Sequence, residues 1–298
     1  MKFWKKTGWF LLGCCPTVAV LFWQILISSV AMYVILFQQM AGMDRVEMNS
    51  PEYYRLLESV DEQLLSGSNY GILMFIIYVG YQVIFGLWYY FMFCHKRQTG
   101  DWKQVLKPSR AIGIIACGFF MQLSLTMLLS AILPLFPEIL ESYSDIMNTL
   151  GDETIFMVLC VCILAPIGEE LIFRGLTLRI MRKAFPWQVA VIIQAVLFGV
   201  YHMNLVQGIY ATLLGLFMGY LAYRYNSVVP GILLHMTINS LSYVIEYFIP
   251  PAMGESILMM LVIGVCTLVI SMGFIYRVTR DVVPVEPRAT DSQNIPSN

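Results

Sequence analysis

The stretch Thr154–Lys183, TIFMVLCVCILAPIGEELIFRGLTLRIMRK, decides the fold. About 20 apolar residues are enough to cross the hydrocarbon of a bilayer, so this segment can span it and protrude at its basic end, Arg179, Arg182 and Lys183. Within it, Gly168-Glu169-Glu170-Leu171-Ile172-Phe173-Arg174-Gly175 places two adjacent carboxylates and a guanidinium in apolar surroundings. Each such group costs about 2.5–3.5 kcal/mol in hydrocarbon even on the mild insertion scale. A chain that keeps three of them there has a use for them.

The rest of the chain is of the same kind. It is 58% hydrophobic and 12% charged, and a soluble domain carries roughly twice that charge. The class expected is all-α, a polytopic transmembrane helical bundle. Eight spans are predicted, over about 9–40, 70–94, 111–136, 154–183, 187–203, 207–224, 229–248 and 255–276. The basic start, Lys2, Lys5 and Lys6, resembles a signal-peptide n-region. The apolar run after it is too long for a signal h-region of 7–15 residues, so it reads as an uncleaved first span. With the N-terminus inside, all of the 18 Lys and Arg residues except Arg45, Arg55 and Arg174 fall on inner segments. That separation follows the positive-inside rule. It predicts an integral, multi-pass protein of the cell membrane with both termini cytoplasmic. A net charge of −1 argues against a nucleic-acid partner. The seven cysteines lie in or beside apolar runs and read as packing residues, without a loop framework or C-x-x-C pair.

Three regions are expected. Residues 1–150 form N-terminal transmembrane helices with an outer amphipathic helix in the loop 41–69. There Ser50-Pro51 makes an N-cap with proline at the first helical position, and Tyr53, Leu56, Leu57, Val60 and Leu64 repeat at helical spacing. It serves as a packing cover or as a gate. Residues 151–280 form a helical core that holds the polar groups. Residues 281–298, rich in proline and polar residues, are expected to be a disordered cytoplasmic tail.

Within the core, Glu170 and Arg174 stand at i and i+4 on one helix face, in the favourable order. An intramembrane Arg needs a carboxylate. The simplest assignment pairs these two and leaves Glu169 free, turned about 100° around the helix. The alternative is one structural ion cluster of all three. Phe198 and His202, then His235 and Asn239, repeat the i, i+4 spacing on later apolar stretches. A lone histidine there is most simply a packing residue, but two with a free Glu and an Asn on neighbouring spans favour a shared site. Glu170 lies about 20 Å along a helix from Lys183, and His202 about 22 Å from Trp187. The turn Lys183–Trp187 makes these two helices an antiparallel hairpin, so the two heights agree. His235 is only about 8 Å into its helix from Pro230, which places it shallower unless that helix starts deep. Ala211, Gly215 and Gly219 form a small-residue stripe for close helix packing.

Glu169-Glu170-x-x-x-Arg174, Phe198-x-x-x-His202 and His235-x-x-x-Asn239, in that order, resemble the three motifs of the CPBP family. That family comprises the CAAX prenyl proteases and the bacteriocin-processing or immunity proteins, also called the Abi family. The resemblance covers about Asp152 to Phe248. It implies an intramembrane endopeptidase acting on a membrane-associated peptide or protein, and residues 151–280 would be its catalytic core. By the same resemblance Glu169 would be the general base for a water shared with His202. His235 and Asn239 would stabilise the oxyanion, and Glu170 and Arg174 would hold Glu169 in place. A carboxyl moved into low dielectric becomes a better base, which suits the first role. The water could act alone, or bound to a divalent metal such as Zn²⁺ held by Glu169, His202 and His235. The H-E-x-x-H helix of the zincins is missing. Two other classes compete. A non-catalytic immunity or partner protein of the same family would be expected to lose a motif residue, and none is lost. A transporter would be expected to show an internal repeat, and the polar groups all fall in the second half.

Overall fold

The computed structural model describes residues 3–41, 47–96, 98–150, 154–250 and 256–284. The described residues form a helical membrane bundle without strands. Its helices are α1 (Phe3–Met40), α2 (Pro51–Leu65), α3 (Gly67–Tyr89, prolonged by a π turn over Tyr90–Cys94), α4 (Pro108–Ile132) and α5 (Pro137–Leu150). Then come α6 (Ile155–Met181), α7 (Trp187–Tyr201), α8 (Leu205–Tyr225), α9 (Val229–Ser242) and α10 (Ile257–Thr279). Most of the predicted tail, 285–298, lies outside the described residues, as does part of the outer loop, 42–46.

The helix starts follow local chemistry. Ser50 accepts from the Tyr53 backbone N–H, with Pro51 opening α2 as expected. Thr154, Asn204 and Ser256 cap α6, α8 and α10 in the same way, each satisfying a backbone donor that the first turn leaves unpaired. Asn226 ends α8 in the left-handed region, φ 49°, which Asn tolerates better than most side chains.

The expected eight spans are corrected to six. Among the described residues, α1, α3, α4, α6, α8 and α10 are long and apolar enough to cross a membrane. The stretches read as spans 187–203 and 229–248 fold as α7 and α9, of 15 and 14 residues. At 1.5 Å per residue these reach only about 21–22 Å, short of the ~30 Å of hydrocarbon. Two local events cut them. Met203 turns the chain with φ 54° just before Asn204 caps α8, and α9 gives way to turns and a 3₁₀ segment, Ile245–Phe248. Hydropathy misled because α9 is apolar for a different reason. None of its large apolar residues is exposed, so it is an inner helix walled by protein rather than by lipid. By contrast α7 shows Val189, Ile192, Val196 and Val200 outward along one face. The amphipathic helix α5 was not anticipated, because it lies in the short interval between two expected spans.

Close packing rests on small residues, as membrane bundles require when lipid is as apolar as the core. The stripe Ala211, Gly215 and Gly219 meets α7, with Gly215 against Ala195 and Gly219 against Gln194. Near the α7–α8 turn, a Cβ on Gly199 would run into Thr212 and the Gly208 carbonyl. Between α4 and α10, Ser124 donates to the Gly264 carbonyl at 2.7 Å and Phe120 stacks on Phe274.

Gly199→Val should therefore force α7 and α8 apart and destabilise the bundle by about 1–3 kcal/mol, read as a lower melting temperature in detergent. An unchanged melting temperature would refute this account of the hairpin.

Candidate active site

The carboxylate pair sits between two distortions of one helix. α6 changes from α to π geometry over Cys160–Leu164, returns to α over Ala165–Glu170, and is π again over Leu171–Thr177. A π turn displaces the ladder and releases carbonyls from it, and such turns are frequent at functional sites. Two of these carbonyls are taken by side chains from other helices. Gln82 of α3 donates to the Leu164 oxygen at 2.7 Å, and Asn239 of α9 donates to the Val161 oxygen at 2.9 Å. The stretch that presents Glu169 is thus braced from both sides.

Glu170 and Arg174 are fully buried, with Oε1 and Nη1 2.8 Å apart. The contact is an ion pair without hydrogen-bond alignment, since neither carboxylate oxygen of Glu170 and no guanidinium nitrogen of Arg174 has a hydrogen-bond partner among the described residues. The guanidinium also lies 4.3 Å from the centroid of the Phe198 ring, a desolvated cation–π contact. Phe198 in turn meets His202 and His235 edge-on, at 4.8 and 5.8 Å between centroids. The phenylalanine of the second motif therefore joins the ion pair to both histidines.

Glu169 points elsewhere. It lines a cavity of about 860 Å³ together with His202, His235 and Asn239, whereas Glu170 and Arg174 stand behind its wall. The His235 ring bridges the carboxylates, Nε2 3.7 Å from Glu169 Oε2 and Nδ1 3.4 Å from Glu170 Oε1. His202 makes a 2.8 Å contact from Nδ1 to the Phe198 carbonyl. A carbonyl only accepts, so this bond assigns the proton to Nδ1 and leaves Nε2 as a bare acceptor in the neutral ring.

The depth mismatch of His235 disappears in the structure. Gly231, in the first turn of α9, lies directly on the Glu170 carboxylate, where a Cβ would collide with Oε2. The helix therefore starts deep, level with the ion pair. α9 then runs antiparallel to α6, bringing His235 to the two Glu residues and Asn239 to Val161.

Sequence reasoning missed the second rank of residues: Gly231, Gln82, Gln194 and the pair Gln24 and Tyr201. Gln194 is fully buried and donates to the Gly215 carbonyl at 2.8 Å. A signal was present, since amides in apolar helices need partners in another helix. For Gly231 nothing in the sequence distinguishes it from a packing glycine.

A zinc site of Glu169, His202 and His235 was tested against the donor set. Among the described residues no group of three or more His, Cys, Asp or Glu side chains is disposed to hold a metal ion. The three candidate ligands do not come together as such a set.

With this geometry in place, the chain was compared with known proteins. Residues 151–241 match the family model of Rce1-like, type II CAAX prenyl endopeptidases. The match takes in every residue of the three motifs and all of the site's first rank, but less than a third of the chain. It supports the resemblance to the CAAX proteases drawn from the motifs. No curated protein and no solved structure matches the chain.

Arg174→Ala would strand the Glu170 carboxylate in the core and should cost about 3–5 kcal/mol of stability. The paired change Glu170→Gln with Arg174→Met removes both charges and should be milder than Arg174→Ala alone. Thermal unfolding of wild type and the two variants measures this; a double variant no more stable than Arg174→Ala would mean that the two residues do not act as a pair.

Proposed function

We propose that the chain is an intramembrane endopeptidase that hydrolyses a peptide bond of a membrane-associated protein or peptide through a water activated by Glu169 and His202. The observation that carries this reading is the division of labour between adjacent carboxylates: Glu170 is committed to Arg174, while Glu169 faces a cavity shared with two histidines and an asparagine.

The reaction runs as follows. A water in the cavity donates one hydrogen bond to Glu169 and one to the bare Nε2 of His202. Glu169 takes the proton as the water oxygen attacks the peptide carbonyl carbon, so a C–O bond forms and the carbonyl becomes an oxyanion. His235 and Asn239 donate to that oxyanion. Donors of this kind, preorganised in a dry site, supply about 2.7–4 kcal/mol each in comparable cases. One amide proton of Asn239 is held by the Val161 carbonyl; the other is available to the cavity. As the C–N bond breaks, Glu169 passes its proton to the leaving amine. Arg174 and Glu170 act through position, fixing the helix that presents Glu169.

Met74, Leu125, Leu129, Leu133 and Leu214 also line the cavity, an environment for an apolar substrate segment. An even number of long spans keeps both termini on one side, and the basic stretches after α3, after α6 and at the end of α10 support placing that side in the cytoplasm. The substrate partner is a peptide or membrane protein reached from the bilayer.

Glu169→Gln, His202→Ala and His235→Ala should each lower cleavage of a membrane peptide by at least about 100-fold, with insertion and melting temperature kept. Asn239→Ala should lose less, about tenfold or more. Full activity in both Glu169→Gln and His202→Ala would overturn the mechanism. A folded wild type that cleaves no peptide tested would instead favour a non-catalytic partner role.

A further inference from the structure

One polar pair in the same cavity has no task in the reaction above. Gln24, from α1, donates its Nε2 proton to the Tyr201 hydroxyl at 2.7 Å, and both side chains line the cavity with Glu169 and His202. Tyr201 immediately precedes His202 and is almost buried. Its ring is held against Phe173 at 5.5 Å and against His202 at 5.5 Å between centroids. Gln24 lies outside the matched segment 151–241, so α1 brings to the site something the motifs do not contain.

The direction of the bond matters. An amide N–H only donates, so the Tyr201 oxygen is the acceptor and its own proton must point elsewhere. Among the described residues that proton has no acceptor. The Tyr81 hydroxyl lies beside that of Tyr201; buried and with no other acceptor for its own proton, it is placed as a second donor to the Tyr201 oxygen and does not take the Tyr201 proton. A phenol donor fixed in this way beside the reacting water is incomplete until something with a free acceptor enters the cavity. Of what a peptide offers, backbone carbonyls are the acceptors that every sequence carries.

We propose that Tyr201 binds a backbone carbonyl of the substrate next to the bond to be cut, and that Gln24 is the positioning residue that keeps the Tyr201 proton turned into the cavity. The inference rests on the peptidase reading and deepens it.

The test is steady-state kinetics on the full-length protein in detergent with a quenched fluorescent peptide, beside Glu169→Gln. Losing one neutral hydrogen bond should raise KM about tenfold in Tyr201→Phe, with kcat within about twofold. Gln24→Glu has nearly the same shape, but at neutral pH its carboxylate accepts the phenol proton and should raise KM equally. Acidification protonates the introduced carboxyl and restores a donor, so KM in this variant should fall back towards wild type. The double variant should be no worse than Tyr201→Phe alone. An unchanged KM in Tyr201→Phe, multiplicative effects in the double variant, or no pH rescue in Gln24→Glu would overturn the proposal. If Tyr201→Phe fails to fold, the pH rescue in Gln24→Glu still decides. Should Glu169→Gln cleave normally, the peptidase reading itself falls; should it be dead while Tyr201→Phe keeps its KM, only this inference falls.

Discussion

The ion pair of Glu170 and Arg174 is the constraint around which the second half of the bundle is built. An Arg at this depth is tolerable only with a carboxylate beside it and water kept out or replaced. Three helices meet that demand. α7 supplies the Phe198 ring over the guanidinium, α8 supplies Gly215 within reach of Nη2, and α9 supplies Gly231 where Glu170 needs room. Because Arg174 claims the carboxylate one turn before it on the same face, the adjacent residue, rotated by about 100°, is released to the cavity. Two chemically identical side chains thus acquire different roles from a single helical step.

The π turns extend the same logic to the backbone. In hydrocarbon an unpaired carbonyl is costly, and irregular backbone persists only where protein or a cavity satisfies it. Here Gln82 and Asn239 satisfy the carbonyls of the first π turn. Asn239 consequently ties α9 to α6 in register while it faces the cavity. Its position is set by the fold itself.

What the sequence conveyed and what it withheld separate along physical lines. Charge in an apolar stretch is expensive wherever it occurs, so Glu169, Glu170, Arg174, His202, His235 and Asn239 could be picked out by type and spacing alone. The i, i+4 pairing of Glu170 with Arg174 follows from helix geometry, and the structure contains that pair at 2.8 Å. Span count was not legible in the same way. An apolar residue facing lipid and one facing an inner helix read alike, so α9 passed for a crossing. Gly231 and the π turns were invisible because both arise from how close another helix comes, which no local pattern encodes.

The shortness of α7 and α9 is what allows polar chemistry at this depth. A full-length α7 would carry its apolar face across the membrane and leave His202 as a mid-helix residue walled by neighbours. Instead the chain turns at His202-Met203-Asn204, with Met203 in the left-handed region. That turn is about 22 Å from Trp187 along the helix, within the hydrocarbon depth. Non-helical backbone there needs a cavity or a protein wall, and His202 lines one. The same turn directs the Nδ1 of His202 to the Phe198 carbonyl, leaving Nε2 free to accept. The break in the helix and the vacancy it faces are two aspects of one structural solution.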